Sequence, residues 1–258
     1  MDSQNDREAT RQHSLPSLRT TVIPLLALLC LTLVTQLTSL AYTFEGHFLA
    51  VLGPSALVLC AVTIPLATLG LILGQKIGLG APLLTDLLNR SPGSGQRLFV
   101  DARLAISLGL GLGVLLLLFR FVAEPYLPPE LPALGHRGAL GGLLVSISAA
   151  VGEEVWLRLG VLTILAWTFL RLYRRHAIDA VVGWSAIVVS AVAFAIMHLP
   201  QLASYGAATP VGIAATIMGN TLVGMLFGWL YWRRSLIAAI LAHFAVDIVL
   251  HVLTAFGA

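Results

Sequence analysis

Charge is scarce in this chain. Only 10% of its 258 residues are Asp, Glu, Lys or Arg, while 58% are hydrophobic. Soluble domains carry about 25% charged residues, so an ordinary water-soluble domain is excluded. The formal net charge of +3 comes from basic residues dispersed at the ends of apolar runs, as orientation signals are. No basic patch is gathered, and no nucleic-acid partner is expected. Cysteine is equally rare. Cys30 and Cys60 both fall mid-run, which leaves no disulfide framework. Also missing are a Gly-x-Ser-x-Gly elbow, a His-Glu-x-x-His zinc motif and any clear internal repeat.

Long apolar runs are what the chain does have, and they predict an all-α, polytopic transmembrane bundle. The runs lie near 21–43, 48–74, 102–123, 138–172, 180–199, 210–232 and 236–256. The fourth run would reach about 52 Å at 1.5 Å per residue, too long for one upright crossing. It is expected to tilt, to protrude, or to break near Gly160 into two helices, which makes seven or eight spans. Residues 1–20 are polar and read as a cytoplasmic tail. Residues 21–258 form one helical domain. No small-residue cleavage site follows the first run, so it reads as a retained helix. Between the second and third runs, residues 75–101 form the longest polar connection, with 81–88 as an interfacial helix. The 124–136 loop is proline-rich and extended.

Arg7, Arg11, Arg19, Lys76, Arg90, Arg97, Arg103, Arg171, Arg174, Arg175, Arg233 and Arg234 fall on one side under the seven-span count. Arg137 alone falls on the other, while Arg120 and Arg158 lie within spans. The positive-inside rule then sets the N-terminus in the cytoplasm. The Ala, Gly and Leu-rich composition, with arginine far outnumbering lysine, points to a GC-rich bacterial genome and hence an inner membrane.

Against this apolar background a few polar residues stand out. A carboxylate at bilayer depth costs about 2.5–3.5 kcal/mol on insertion scales. Glu153 and Glu154 nonetheless sit side by side in the fourth run. Glu154 and Arg158 share a helix face four residues apart, in the favourable acid-before-base order, and can neutralise each other. Glu153 points about 100° away with no local cation, so it is free to face a cavity, where partial burial would suit it to general-base work. His198 closes the fifth run with Phe194 one turn behind it. Taken singly, it could equally be an interfacial residue. His243 and Asp247 are four apart in the seventh run, where the aspartate can orient the imidazole or simply glue helices together. Asn220, Gly224 and Gly228 recur every four residues in the sixth run. The glycines read as a packing stripe, with Asn220 projecting from it toward the interior. A general base, two imidazoles and an amide on different helices are the parts needed to activate water and hold an oxyanion. No serine or cysteine occupies a comparable setting, so covalent catalysis has little support.

In these residues the chain resembles the CAAX prenyl protease and bacteriocin-processing (CPBP, or Abi) family of intramembrane endopeptidases. The resemblance rests on Glu153-Glu154 with Arg158, Phe194 with His198, Asn220 with Gly224 and Gly228, and His243 with Asp247. All four blocks occur in order over about 138–250. The first three spans match only as generic helices. The resemblance implies a glutamate-dependent peptidase in which Glu153 activates water and His198 helps to position it. Glu154 would be held by Arg158, while His243, with Asp247 and Asn220, would stabilise the oxyanion. Asp247 in place of an amide would donate only if protonated, and otherwise would orient His243. No cofactor is expected. Zinc on Glu153, His198 and His243 is the alternative. Partners would be the lipid bilayer and a peptide or protein substrate, with lipidated and bacteriocin-like substrates both in view. Two other classes compete: a proton- or cation-coupled transporter that uses Glu153, His198 and Asp247 as a relay, and a non-catalytic immunity or scaffold protein.

One expectation is awkward. Counting from the cytoplasmic ends, Glu153 and His198 lie about 27 Å deep and His243 only about 10 Å. A shared site therefore requires a recessed turn at Arg233–Ser235 or a bend in the fourth span.

Overall fold

The structure, a computed structural model, describes residues 18–44 and 46–257. Most of the expected polar tail, residues 1–17, lies outside the described residues. Among the described residues there is no strand, and seven helices are long and apolar enough to cross a membrane. After a π-helical turn at Leu18–Val22 the elements are α1 (Ile23–Thr43), α2 (Phe48–Ile77), the short α3 (Pro82–Leu88) and α4 (Ser94–Ala123). They continue with α5 (Gly138–Leu172), α6 (Ala180–Met197), the short α7 (Leu199–Ser204), α8 (Pro210–Arg233) and α9 (Leu236–Asp247). A π-helical and then a 3₁₀ turn carry α9 on to Phe256.

Hydrophobicity in this molecule points outward as well as inward. Leu49, Leu57, Val58, Phe121, Val122 and Met218 are all more than half exposed, a surface suited to lipid and not to water. The interior combines large side chains such as Phe194, Phe227 and Leu230 with small ones at the helix crossings. Ala67, Ala105, Ala186, Ala191, Ala239 and Ala242 are fully buried, which lets helix backbones approach closely. Two contacts set the frame of the site. A Cβ at Gly70 of α2 would run into the Leu159 carbonyl of α5, and one at Gly109 of α4 into the Ala242 carbonyl of α9. Neither crossing admits even a methyl group.

The fourth span is a single helix and does not break at Gly160. Its middle, Glu154–Leu162, winds as a π-helix between two α-helical halves. Such wide turns are rare and tend to mark functional sites. The third span starts at Ser94, not near 102. Gly93 takes a left-handed conformation (φ 77°) and releases a polar first turn in which Arg97 pairs with Asp86. Residues 78–83 also differ from a purely interfacial reading. Leu79, Ala81 and Leu83 are buried, and the Gly80 amide donates to the Tyr231 hydroxyl at 2.9 Å. Tyr231 in turn shares a 2.6 Å hydrogen bond with Thr163. The connection thus plugs into the bundle above the α8–α9 turn.

That plug accompanies a recessed turn, which removes most of the depth mismatch. Ser235 is 3% exposed. Its hydroxyl accepts from the Ala238 amide at 3.1 Å, capping α9, and donates to Asp101 Oδ2 at 2.9 Å. Asp101 sits about 10 Å along α4 from Ser94 at 1.5 Å per residue, so α9 begins well inside the bundle.

Candidate active site

Glu153 and Glu154 occupy the junction where α5 changes from α- to π-helical winding. Glu154 and Arg158 are completely buried, with Arg158 Nε 3.2 Å from Glu154 Oε2. No guanidinium nitrogen of Arg158 makes a well-aligned hydrogen bond, so the pair is a charge contact more than a directed bond. The cation is instead covered by rings. Its Cζ lies 5.1 Å from the Phe194 centroid and 5.8 Å from that of Phe227.

The other oxygen of Glu154 reaches across to α9. His243 Nδ1 donates to Glu154 Oε1 at 2.9 Å. The ring stacks on Phe227 at 4.6 Å and 16° and meets Phe194 edge-on at 6.0 Å. Its Nε2 then faces the opposite way, 3.6 Å from Asp247 Oδ2 and 3.8 Å from Glu153 Oε2. Glu154 therefore does more than neutralise Arg158: it orients His243. Asp247, the same-helix neighbour that spacing suggested for orientation, stands at the other nitrogen.

Glu153, Phe194, His198, Asn220, His243 and Asp247 all face one cavity of about 430 Å³. His198 Nδ1 lies 2.9 Å from the Phe194 carbonyl, and its ring meets Phe194 edge-on at 4.8 Å, which leaves Nε2 as its free nitrogen. One amide hydrogen of Asn220 goes to the Thr216 carbonyl at 2.9 Å. Glu154 and Arg158 sit behind the wall. Gly224 and Gly228 lie outside the site, against Ala191 and Ile187 of α6, as a packing stripe would. The mouth of the cavity is formed by the 127–137 loop with Arg120, Tyr205 and His251.

Several residues of this site were not singled out by spacing. Phe227 is seven residues after Asn220, on the same helical face, and that interval was the available signal. Arg120 was visible as a lone arginine in an apolar run, though nothing in the sequence tied it to the other blocks. The reach of Glu154 to His243 has no sequence signature at all. As for metal, no group of three or more His, Cys, Asp or Glu side chains among the described residues is arranged to hold an ion.

Fold and site together define a multi-pass, all-α membrane protein whose core holds a carboxylate–imidazole cluster at the end of a cavity. Residues 136–249 match the family model described as type II CAAX prenyl endopeptidase Rce1-like. This segment runs from the cavity mouth through α9 and holds all four motif blocks, and over these residues the chain is similar to that family. No curated protein and no solved structure matches the chain.

Proposed function

We propose that the protein is an intramembrane endopeptidase in which Glu153 activates water against a peptide bond bound in the cavity. The observation that carries this reading is the bracketing of His243. One ring nitrogen is fixed on the buried Glu154, and the other is turned toward Glu153, Asp247 and the cavity. A ring held in this way is preorganised, and preorganised donors are what oxyanion stabilisation requires.

Glu153 accepts a proton from water positioned with the help of His198 Nε2, and the water oxygen bonds to the carbonyl carbon. The electron pair of the C=O bond moves to oxygen, where Nε2–H of the charged His243 ring and the second amide hydrogen of Asn220 receive it. Glu153 then returns its proton to the peptide nitrogen as the C–N bond breaks. Asp247 helps hold the His243 proton on the cavity side until the oxyanion forms. No metal takes part. The substrate is a peptide or protein segment that reaches the membrane, lipidated or bacteriocin-like, and the site is a bacterial inner membrane.

The arginine-rich connections lie at one end of the bundle and the cavity mouth at the other. With the N-terminal end of α1 cytoplasmic, the cavity opens toward the outside. The test is cleavage of quenched-fluorescence peptides by liposome-reconstituted protein, with Glu153→Gln and His243→Asn alongside and with a chelator. Loss of about 10²–10⁴-fold in both variants, with full activity in chelator, is the expected result. Activity abolished by the chelator would put the zinc alternative in its place. Undiminished turnover in Glu153→Gln would remove the mechanism, and pH-dependent ion flux in its place would favour a transporter.

A further inference from the structure

The cavity has two chemically opposite ends. Its floor carries the acids Glu153 and Asp247, whereas its mouth presents donors: Arg120, Arg137, Gln201 and Tyr205. Arg120 lies in the apolar last turn of α4, and its Nη1 is buried with no hydrogen-bond partner. Arg120 also has no ion pair among the described residues. An arginine near a helix end can carry its charge to the membrane surface, but here one guanidinium nitrogen is turned away from solvent and left unpaired, as it would be if it awaited a ligand. Arg137 caps the start of α5, and its Nη2 donates to the Tyr205 hydroxyl at 3.2 Å. Gln201 Nε2 donates to the same oxygen at 3.1 Å. With two donors on its oxygen, Tyr205 has only its own hydrogen left to give, and that needs an acceptor. His136 beside them is held below its ordinary pKa, by burial first and then by the Arg137 charge, against its contact with the Ala133 carbonyl.

The position of this donor end can be measured along the helices. Gly109 of α4 packs on Ala242, the residue before His243, and Gly113 packs on Val246 and Val249, so α4 and α9 run side by side in the same direction. Arg120 is about eleven residues beyond Gly109, or about 16 Å further toward the mouth. Extended peptide covers about 3.3 Å per residue, so about five residues bridge the two ends.

We propose that Arg120 and Arg137, with the Tyr205 hydroxyl, form an anion subsite that holds a carboxylate of the peptide substrate about five residues from the bond that is cut. The inference rests on the peptidase reading. The carboxylate can come from the free C-terminus of the peptide or from an acidic side chain; both present the same planar acceptor to a guanidinium fork.

The experiment measures binding, not turnover, on Glu153→Gln protein in liposomes. Three randomised ten-residue peptide pools are offered: one without Asp or Glu and with a free C-terminus, the same pool amidated, and an amidated pool containing Asp and Glu. Retention is read by mass spectrometry. The first or third pool is expected to be retained at least tenfold over the second, and which of the two it is identifies the source of the carboxylate. Adding Arg120→Gln should remove the preference, while Arg120→Lys should keep part of it and show that the bundle is intact. Equal retention of all pools, no retention of any, or a preference that survives both Arg120→Gln and Arg137→Gln overturns the proposal. Carboxylate-dependent binding without cleavage by the wild-type protein would leave the subsite standing and remove the peptidase reading. Cleavage without that preference would do the reverse.

Discussion

At the residue scale the site turns on Glu154. Its two oxygens serve different helices, one on Arg158 and one on His243, and all three side chains are buried. Removing one partner of such a group leaves an uncompensated charge in a dry interior, at a cost of about 3–5 kcal/mol. Glu154→Gln should therefore lower stability by that amount while still accepting from Nδ1. Arg158→Met combined with it should recover much of the loss, because both charges then leave together. Unfolding of the single and double variants in micelles, arranged as a double-mutant cycle, measures this. Independent, additive losses would show that the pair is not coupled. The Glu154–Arg158 spacing was plain in the sequence because a helix fixes what lies four residues away. The Glu154–His243 contact was hidden, since residues 89 apart in the chain meet only through the crossing of two helices.

At the element scale, the recessed α8–α9 turn is what allows His243 to reach the depth of Glu153. Ser235 anchors it by capping α9 and bonding Asp101. Ser235→Ala should cost about 0.5–2 kcal/mol and, because His243 lies two turns further on, reduce turnover as well. Ser235→Thr should retain both. Thermal unfolding read beside kcat checks this, and unchanged kcat in the alanine variant would mean that the turn does not position the histidine. Seven apolar runs and their order were legible because bilayer thickness dictates their length. The start of α4 was not, since its first turn is polar and helix-forming at once and hydropathy sees only the apolar part. The inward fold of residues 78–83 was hidden for a related reason: Gly80 and Tyr231 are 151 residues apart, and only the assembled bundle brings the amide to the hydroxyl.

At the scale of the whole molecule, the motif blocks on α5, α6, α8 and α9 converge because small residues let the helices pack closely. α4 supplies a further wall of the cavity, while α1 and α2 pack against α5 from outside it. Sidedness is the property of the whole that can be tested directly. Cysteines placed at Ala133, beside the cavity mouth, and at Arg175, between α5 and α6, should label from opposite faces. The background would be Cys30→Ala and Cys60→Ala. In intact cells a membrane-impermeant maleimide is expected to reach position 133 at once and position 175 only after permeabilisation. The opposite pattern would reverse the orientation and have the cavity served from the cytoplasm.

The claim on which the rest depends is that Glu153 drives hydrolysis in this cavity, and fragment analysis tests it most directly. Wild-type protein in liposomes is incubated with a peptide pool and the products are weighed by mass spectrometry. The prediction is fragment pairs whose masses sum to a parent peptide plus one water, absent when Glu153→Gln protein of equal thermal stability is used. The same fragment pairs appearing with both proteins, or with neither, would contradict it.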